Sequence, residues 1–167
     1  ANVIHSVMKV TVLFGSKSDT DTMKKATAVL KEFGVDYSAY MISAHRAADV
    51  LAETVASEEA SGTEVFIAGA GLAAALPGVV ASLTTCPVIG VPLDGGKVGG
   101  LDSLLSIVQM PKQIPVATVG LDNAANAGYL ACEILSIKYP ELKGKLVEFR
   151  KKLRDEVREG LDPRVLG

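Results

Sequence analysis

The sequence predicts a three-layer α/β/α fold built on a five-stranded parallel sheet, and three observations support this prediction. Short apolar segments alternate with helix-like segments along most of the 167 residues, a pattern typical of repeated strand–helix–strand units. The run Val65–Ala68 is apolar at every position, as expected for a strand covered on both faces. Val35–Ile42 alternates polar with apolar residues, which favours an edge strand. An edge position for the second strand gives the order 2-1-3-4-5, known as flavodoxin-like.

The individual elements follow from local composition. The predicted strands are short and rich in β-branched and aromatic residues; they are Met8–Phe14, Val35–Ile42, Glu64–Ala68, Pro87–Val91 and Pro115–Gly120. The segments between them have helix-forming composition or helical periodicity; they are Thr20–Phe33, Ala48–Ala60, Pro77–Thr85, Asp102–Val108 and Asn123–Lys138. Right-handed crossovers then connect consecutive strands.

Two segments are additional to a minimal unit of five strands and their connecting helices. Pro92–Gln113 contains four glycines before a short helix, which we expect Asp102 to cap. This segment is interpreted either as a mobile loop or as a lid or subunit-contact arm. The second is an extra C-terminal helix over about residues 140–159, with Pro140 at its first position. This helix has one apolar stripe, formed by Leu142, Leu146, Phe149, Leu153 and Val157. The stripe is expected to pack either on its own domain or on a neighbouring subunit.

Composition restricts the class of protein. We expect one domain over residues 8–167, preceded by an extension or expression remnant over residues 1–7, because Met8-Lys9 looks like a natural start. A net charge of −2 and 5% aromatic residues without Trp argue against a nucleic-acid surface. Cys86 and Cys132 lack metal or redox spacing and are interpreted as small buried hydrophobes in a reducing cytosol. No signal peptide or membrane-length apolar run is found, so a cytoplasmic protein without a membrane partner is predicted.

Polar or glycine-rich segments follow the first three predicted strands. They are Gly15–Asp19, Ser43–Arg46 and Gly69–Gly71. In the order 2-1-3 these segments lie side by side at the carboxyl edge of the sheet, about 5 Å apart, where open α/β sheets bind ligands. Their combined groups are suited to holding a phosphorylated small molecule and moving a proton on it.

The first segment combines a flexible turn with anion-binding groups. Gly15 permits the sharp turn, the following helix N-terminus attracts an anion, and Ser16 and Ser18 add hydroxyls. Asp19 is suited to accept hydrogen bonds from two ribose hydroxyls. The structural alternative is that Ser18 caps the helix through a Ser18-x-x-Asp21 box, which leaves Asp19 without a structural role. The segment lacks the Gly-Lys-Ser/Thr of a Walker loop.

The second segment supplies acid–base chemistry. His45 can exchange protons near neutral pH, although a lone histidine is more often structural. Arg46 can bind phosphate bidentately, or else form a surface ion pair with Asp49. In the third segment, the bare backbone of Gly69-Ala70-Gly71-Leu72 with Ala73–Ala75 allows a planar ligand to approach, or simply permits tight strand–helix packing. The sequence contains no metal-ligand cluster and no evident Ser-His-Asp set.

At these positions the chain resembles the PurE family of purine biosynthesis, which comprises N5-carboxyaminoimidazole ribonucleotide mutases and aminoimidazole ribonucleotide carboxylases. The resemblance runs from about Met8 into the C-terminal helix. The matching stretches are Gly15-Ser16-Lys17-Ser18-Asp19, Ser43-Ala44-His45-Arg46, Ala68-Gly69-Ala70-Gly71, Leu76-Pro77-Gly78, Pro87-Val88-Ile89-Gly90-Val91-Pro92, Gly100-Leu101-Asp102-Ser103-Leu104 and Ser106-Ile107-Val108-Gln109-Met110-Pro111.

The resemblance implies a flavodoxin-like homo-octamer that needs no cofactor or metal and acts on a ribonucleotide. It implies that Ser16, Asp19 and Arg46 hold the ribonucleotide, that Ser43 and Ser18 lie near its phosphate, and that His45 transfers the proton. It also suggests functional pairing with an ATP-dependent carboxyaminoimidazole ribonucleotide synthetase.

Two departures from the family pattern stand out. The usual His-Arg-Thr-Pro reads His45-Arg46-Ala47-Ala48 here, and Ala75 replaces a histidine that usually precedes Leu-Pro-Gly. Arg46 after the histidine favours the mutase branch over the branch that uses free carbon dioxide, in which lysine is typical. A non-catalytic nucleotide- or flavin-binding module on the same fold is the alternative from another class.

Overall fold

A computed structural model describes residues 7–160 of the protein. Its five strands are all parallel and follow the order β2-β1-β3-β4-β5, which confirms the predicted order with the second strand at an edge. The strands are β1 (Lys9–Phe14), β2 (Asp36–Met41), β3 (Val65–Gly71), β4 (Val88–Leu93) and β5 (Ala117–Thr118). The predicted extension falls outside the described residues except for Val7, which is exposed.

Six α-helices cover the two faces of the sheet within the described residues. They are α1 (Thr20–Glu32), α2 (Ala48–Ala60), α3 (Leu76–Leu83), α4 (Leu101–Val108), α5 (Ala124–Leu135) and α6 (Pro140–Gly160). Helices α1, α5 and α6 share one hydrophobic cluster with the sheet, and α2, α3 and α4 share the other. Because side chains alternate along a strand, Ile67 packs in the first cluster and Phe66 in the second. No helix between residues 7 and 160 has the length and apolarity needed to cross a membrane.

The ends of two strands differ from the prediction. Gly69-Ala70-Gly71 was predicted as a loop but forms the last part of β3. Gly69 fits there because the Met23 side chain fills the space beside it, and a Cβ at Gly69 would lie 2.3 Å from the Met23 sulfur. Strand β5 is shorter than predicted and spans only Ala117–Thr118, after a proline, Pro115, that has no N–H for the ladder.

The cap of α4 also differs from the prediction. Gly100, not Asp102, is the N-cap, and its φ is 77°. A side chain there would be strained, and a Cβ would lie 2.5 Å from a methyl carbon of Leu121. Asp102 lies in the first turn, where its carboxylate accepts a hydrogen bond from the N–H of Ser103 at 2.9 Å.

The apolar stripe of α6 divides into two halves. Leu142 and Leu146 are buried, and the Phe149 ring packs edge-on against Phe33 with centroids 5.6 Å apart. Leu153 and Val157 are 41% and 65% exposed. The first half of the helix therefore anchors it to its own domain, and the second half leaves an apolar surface uncovered in a single chain.

A buried carboxylate ties α2 to the first two strands. Glu58 lies 2.8 Å from the ammonium of Lys9, and accepts hydrogen bonds from the hydroxyls of Thr11 at 3.0 Å and Tyr40 at 2.6 Å. Burial alone raises the pKa of Glu58, but the bonds from Lys9, Tyr40 and Thr11 outweigh it and lower the pKa to about 2. This network fixes the C-terminal end of α2, the helix that begins just after Arg46.

Candidate functional site

All of the predicted site residues line one cavity of about 210 Å³. It lies at the carboxyl ends of β1, β2 and β3, where the predicted strand order places them side by side. The predicted residues are Gly15, Ser16, Ser18, Asp19, Ser43, His45, Arg46, Ala70 and Gly71, and the structure brings all of them together.

A larger depression of about 1090 Å³ lies at the opposite edge of the sheet. It contains none of the predicted site residues, and its two lysines, Lys9 and Lys138, are already paired with Glu58 and Glu64. Ligands of open α/β sheets bind at the carboxyl edge. The smaller cavity is therefore the candidate site.

The Gly15–Asp19 segment forms a single 3-10 turn and not the predicted Ser18-x-x-Asp21 box. Ser16 caps this turn, and its hydroxyl accepts from the N–H of Ser18 at 3.4 Å. The backbone N–H of Asp19 donates to the Ser16 carbonyl at 3.0 Å, which closes the turn. Ser18 is therefore not the cap of α1, which was the structural alternative; its hydroxyl instead lies 3.0 Å from that of Ser16. Asp19 occupies the N-cap position of α1 but makes no side-chain cap bond there.

Asp19 supports the turn through its backbone N–H, and its carboxylate makes no cap bond to α1. Partial burial raises the pKa of its carboxyl group, and the hydrogen bond from the Ser16 backbone acts in the opposite direction. One such bond leaves most of the acceptor capacity of a carboxylate unused. Asp19 can therefore support the turn and accept hydrogen bonds from a ligand together.

The Ser43–Arg46 segment presents the Arg46 guanidinium and the His45 imidazole to the cavity. The Ser43 hydroxyl accepts from the N–H of Arg46 at 3.3 Å, and the Arg46 guanidinium donates to the Gly15 carbonyl at 3.5 Å, which links the first two loops. No carboxylate among residues 7–160 pairs with Arg46, so the ion pair with Asp49 does not form. The exposed ring of His45 likewise has no hydrogen-bond partner in the described part of the chain, which removes the structural reading of this histidine.

The end of β3 and the turn after it form the third wall of the cavity, beside the Gly15–Asp19 and Ser43–Arg46 segments. This wall consists mainly of backbone and small side chains. Ala70 is buried, and a Cβ at Gly71 would lie 3.2 Å from the Leu93 carbonyl oxygen. A tight turn follows, in which the N–H of Ala74 donates to the carbonyl of Leu72 at 2.9 Å. Ala75 ends this turn and lines the cavity wall, at the position where the family pattern has a histidine.

Two further wall residues, Leu76 and Gly95, were not assigned to the site from the sequence. Gly95 follows β4, the neighbour of β3 in the sheet, so the predicted strand order contained the signal that could have found it. Leu72 lines the cavity together with Ala73–Ala75, as predicted, but its left-handed backbone conformation could not be read from its residue type.

The described residues contain no group of three or more His, Cys, Asp or Glu side chains placed to hold a metal ion. Both cysteines are free thiols. Burial raises the pKa of Cys132 to about 12, which keeps that thiol protonated, while Cys86 is only half-buried.

Comparison with known proteins places this geometry in context. Residues 9–156 match the family described as AIR carboxylase. The chain is 58% identical over 146 residues to the N5-carboxyaminoimidazole ribonucleotide mutase of Pyrococcus abyssi, covering 87% of this chain and 84% of that protein. It is 52% identical over 151 residues to the Thermotoga maritima protein of the same name, covering 90% and 88%. The crystal structure of Treponema denticola PurE superposes with a TM-score of 0.83 at 27% identity, covering 90% of this chain and 94% of that one.

Proposed function

The chain belongs to the AIR carboxylase family, and we propose that it converts N5-carboxyaminoimidazole ribonucleotide into 4-carboxyaminoimidazole ribonucleotide in purine biosynthesis. The observation that carries this proposal is the convergence on one small cavity of the Asp19 carboxylate with a guanidinium and an imidazole that pair with no carboxylate among residues 7–160. The name mutase, shared by relatives more than half identical to this chain, supports the reaction type.

In the proposed complex the loops of β1 and β2 hold the ribonucleotide. Asp19 accepts from ribose hydroxyls, and Arg46 pairs with the phosphate, as its free guanidinium allows. The remaining contacts, from hydroxyls and backbone, come from Ser16, Ser18, Ser43, Gly15, Ala70 and Gly71. Fixing the ribose phosphate in this way leaves only the base and the carboxyl group to rearrange.

The proposed reaction uses two proton transfers, both through His45. The substrate carries its carboxylate on the exocyclic nitrogen. Protonated His45 gives its proton to that nitrogen as the carbon–nitrogen bond breaks and carbon dioxide leaves. The adjacent ring carbon then attacks carbon dioxide and forms the new carbon–carbon bond. His45, now neutral, removes the proton from that ring carbon, which restores the aromatic base and the protonated imidazole.

Carbon dioxide must stay in the site between these two steps. The wall formed by Gly71 through Ala75 offers methyl groups and backbone, and no charged side chain. Such a wall keeps water from the released molecule without binding it tightly. Ala75 adds to this apolar character and leaves His45 as the histidine of the site.

The test compares two carboxyl sources. Purified protein is given either the N5-carboxylated ribonucleotide or aminoimidazole ribonucleotide with bicarbonate, and formation of the 4-carboxylated product is followed against a protein-free blank. We expect turnover with the first and little with the second. Turnover only with bicarbonate would identify a carboxylase that uses free carbon dioxide. Tight binding without turnover, or a yellow bound flavin, would identify a non-catalytic binding module.

We also propose that eight copies assemble into a closed homo-octamer in the cytoplasm, and that an ATP-dependent carboxyaminoimidazole ribonucleotide synthetase supplies the substrate. The exposed second half of the α6 stripe supports self-association, as does edge strand β2, where Met41 is 55% exposed. Light scattering at micromolar concentration should give a mass near eight times 17.4 kDa. A monomeric mass would contradict the assembly.

A further inference from the structure

Leu72 has a backbone conformation that its residue type does not favour. It follows the last residue of β3, and its φ of 57° lies in the left-handed region. A leucine is strained there, whereas glycine is not. The side chain is 55% exposed, so its burial in the core does not explain the residue. Such outliers concentrate at functional sites, and Leu72 lines the candidate cavity.

The Leu72 side chain contacts the glycine-rich loop that follows β4. A Cβ added to Gly96 would lie 3.0 Å from a Leu72 methyl carbon and 3.1 Å from an Asp102 carboxylate oxygen. The backbone of Gly96 therefore lies in the gap between Leu72 and Asp102. One residue earlier, Gly95 approaches Gly71 so closely that a Cβ on Gly71 would be 3.7 Å from its nitrogen.

The loop itself, residues 94–99, is exposed at every position. At one end the N–H of Asp94 donates to the Asp122 carboxylate at 3.0 Å. At the other end Gly99 and Gly100 have φ of 62° and 77°, a left-handed conformation that glycine adopts without strain. Between these ends, the tip at Gly95 and Gly96 lies against Gly71, Leu72 and Asp102.

We propose that Leu72 is a positioning residue of the site. Its left-handed conformation puts the side chain against Gly96, and this contact holds the 94–99 loop at the mouth of the cavity so that Gly95 completes the wall around the substrate. Loops held over a site exclude water and retain the ligand. The expected change in KM rests on the proposed function, whereas the contact by which Leu72 holds the loop does not.

Two substitutions separate the side chain from the backbone. Leu72→Ala removes the methyl contact and keeps the left-handed strain; Leu72→Gly removes both. Leu83→Ala is the control, since Leu83 is also half-exposed, at 41%, and does not line the cavity. Because Lys97 lies in the exposed loop, the rate of tryptic cleavage after Lys97, followed by mass spectrometry, reports how often the loop leaves the protein surface.

We expect both Leu72 variants to be cleaved roughly fivefold faster than wild type, the size expected for losing a half-buried leucine contact. KM for the ribonucleotide should rise by a similar factor of about five in both, with a smaller change in kcat. Leu83→Ala should match wild type in both measurements. Leu72→Gly should melt about 2–4 °C above Leu72→Ala, because it alone releases the backbone strain.

The cleavage rates and KM values together decide whether Leu72 positions the loop for the site. Wild-type cleavage and KM in Leu72→Ala would overturn the proposal. A raised KM in Leu72→Gly alone would assign the effect to backbone freedom and overturn the role of the side chain. Faster cleavage with an unchanged KM would show that Leu72 holds a loop that the site does not use, and would also overturn it. Absence of turnover in wild type would refute the proposed function, while the cleavage rates would still decide whether Leu72 holds the loop.

Discussion

Replacing Glu58 with glutamine should destabilise the fold and remove part of its sensitivity to acid. Glu58 is buried and accepts hydrogen bonds from three hydroxyls, those of Thr11, Tyr40 and Thr63, and from Lys9. Lowering its pKa from 4.5 to about 2 corresponds to about 3 kcal/mol of folding free energy, at about 1.36 kcal/mol for each pH unit. Glu58→Gln should therefore lower the free energy of unfolding at pH 7 by about 3 kcal/mol.

The direction of the pH effect follows from the sign of the shift. The pKa of Glu58 is lower in the folded state, so its contribution is complete above the ordinary value of 4.5 and is lost as the pH falls toward about 2. At pH 3 the wild type should already have lost about 2 kcal/mol through this group. Urea unfolding curves between pH 7 and pH 3 measure this loss for each variant.

The test compares how much stability the wild type and each variant lose between pH 7 and pH 3. The wild type should lose more stability between pH 7 and pH 3 than Glu58→Gln, by about 2 kcal/mol. Glu53→Gln, an exposed position on the same helix, should keep the wild-type pH dependence. An identical acid-induced loss in wild type and Glu58→Gln would refute the reasoning, because the carboxylate would then not be stabilised in the fold.

Three further predictions concern the site and the core. His45→Asn should keep most of the ribonucleotide affinity and lose about 10²-fold or more in turnover; near-normal turnover would remove His45 from the mechanism. Asp19→Ala and Arg46→Ala should each weaken binding by about 1.5–3 kcal/mol in calorimetry, and wild-type affinity in both would move the site elsewhere. Gly128→Ala should destabilise by about 1–3 kcal/mol, because its Cβ would lie 2.9 Å from a backbone oxygen of α1. Gly144→Ala, with nothing within 4 Å, should instead stabilise by about 0.5–1 kcal/mol, as thermal melts will show; the same sign in both glycine variants would contradict the packing argument.

Much of the fold followed from hydrophobic pattern alone. The half-polar run Val35–Ile42 predicted an edge strand, and the uniformly apolar Val65–Ala68 predicted a central one; both positions are confirmed. Once the strand order was known, the three segments of the cavity had to meet at one edge, because parallel strands end on the same side. Pattern sufficed here because burial on one or both faces is a direct consequence of side-chain polarity.

The features that sequence reasoning missed depend on contacts between distant residues. Gly69 resembles a loop residue, yet it continues β3 because Met23 fills the space beside it. Asp102 is a good cap by type, yet Gly100 takes that position where Leu121 leaves no room for a side chain. Leu72 adopts a conformation that propensity argues against. In each case tertiary packing overrides a correct local preference.

The two roles of Asp19 affect how this site can change. Its backbone N–H closes the turn on the Ser16 carbonyl, while its carboxylate faces the cavity that a ligand would occupy. The two roles therefore belong to different atoms, and a substitution that alters recognition at this position keeps the backbone bond of the turn. The Arg46 side chain differs, because its guanidinium also donates to the Gly15 carbonyl of the neighbouring loop. In a library aimed at a new ligand, position 19 can be varied with less effect on the loops than position 46.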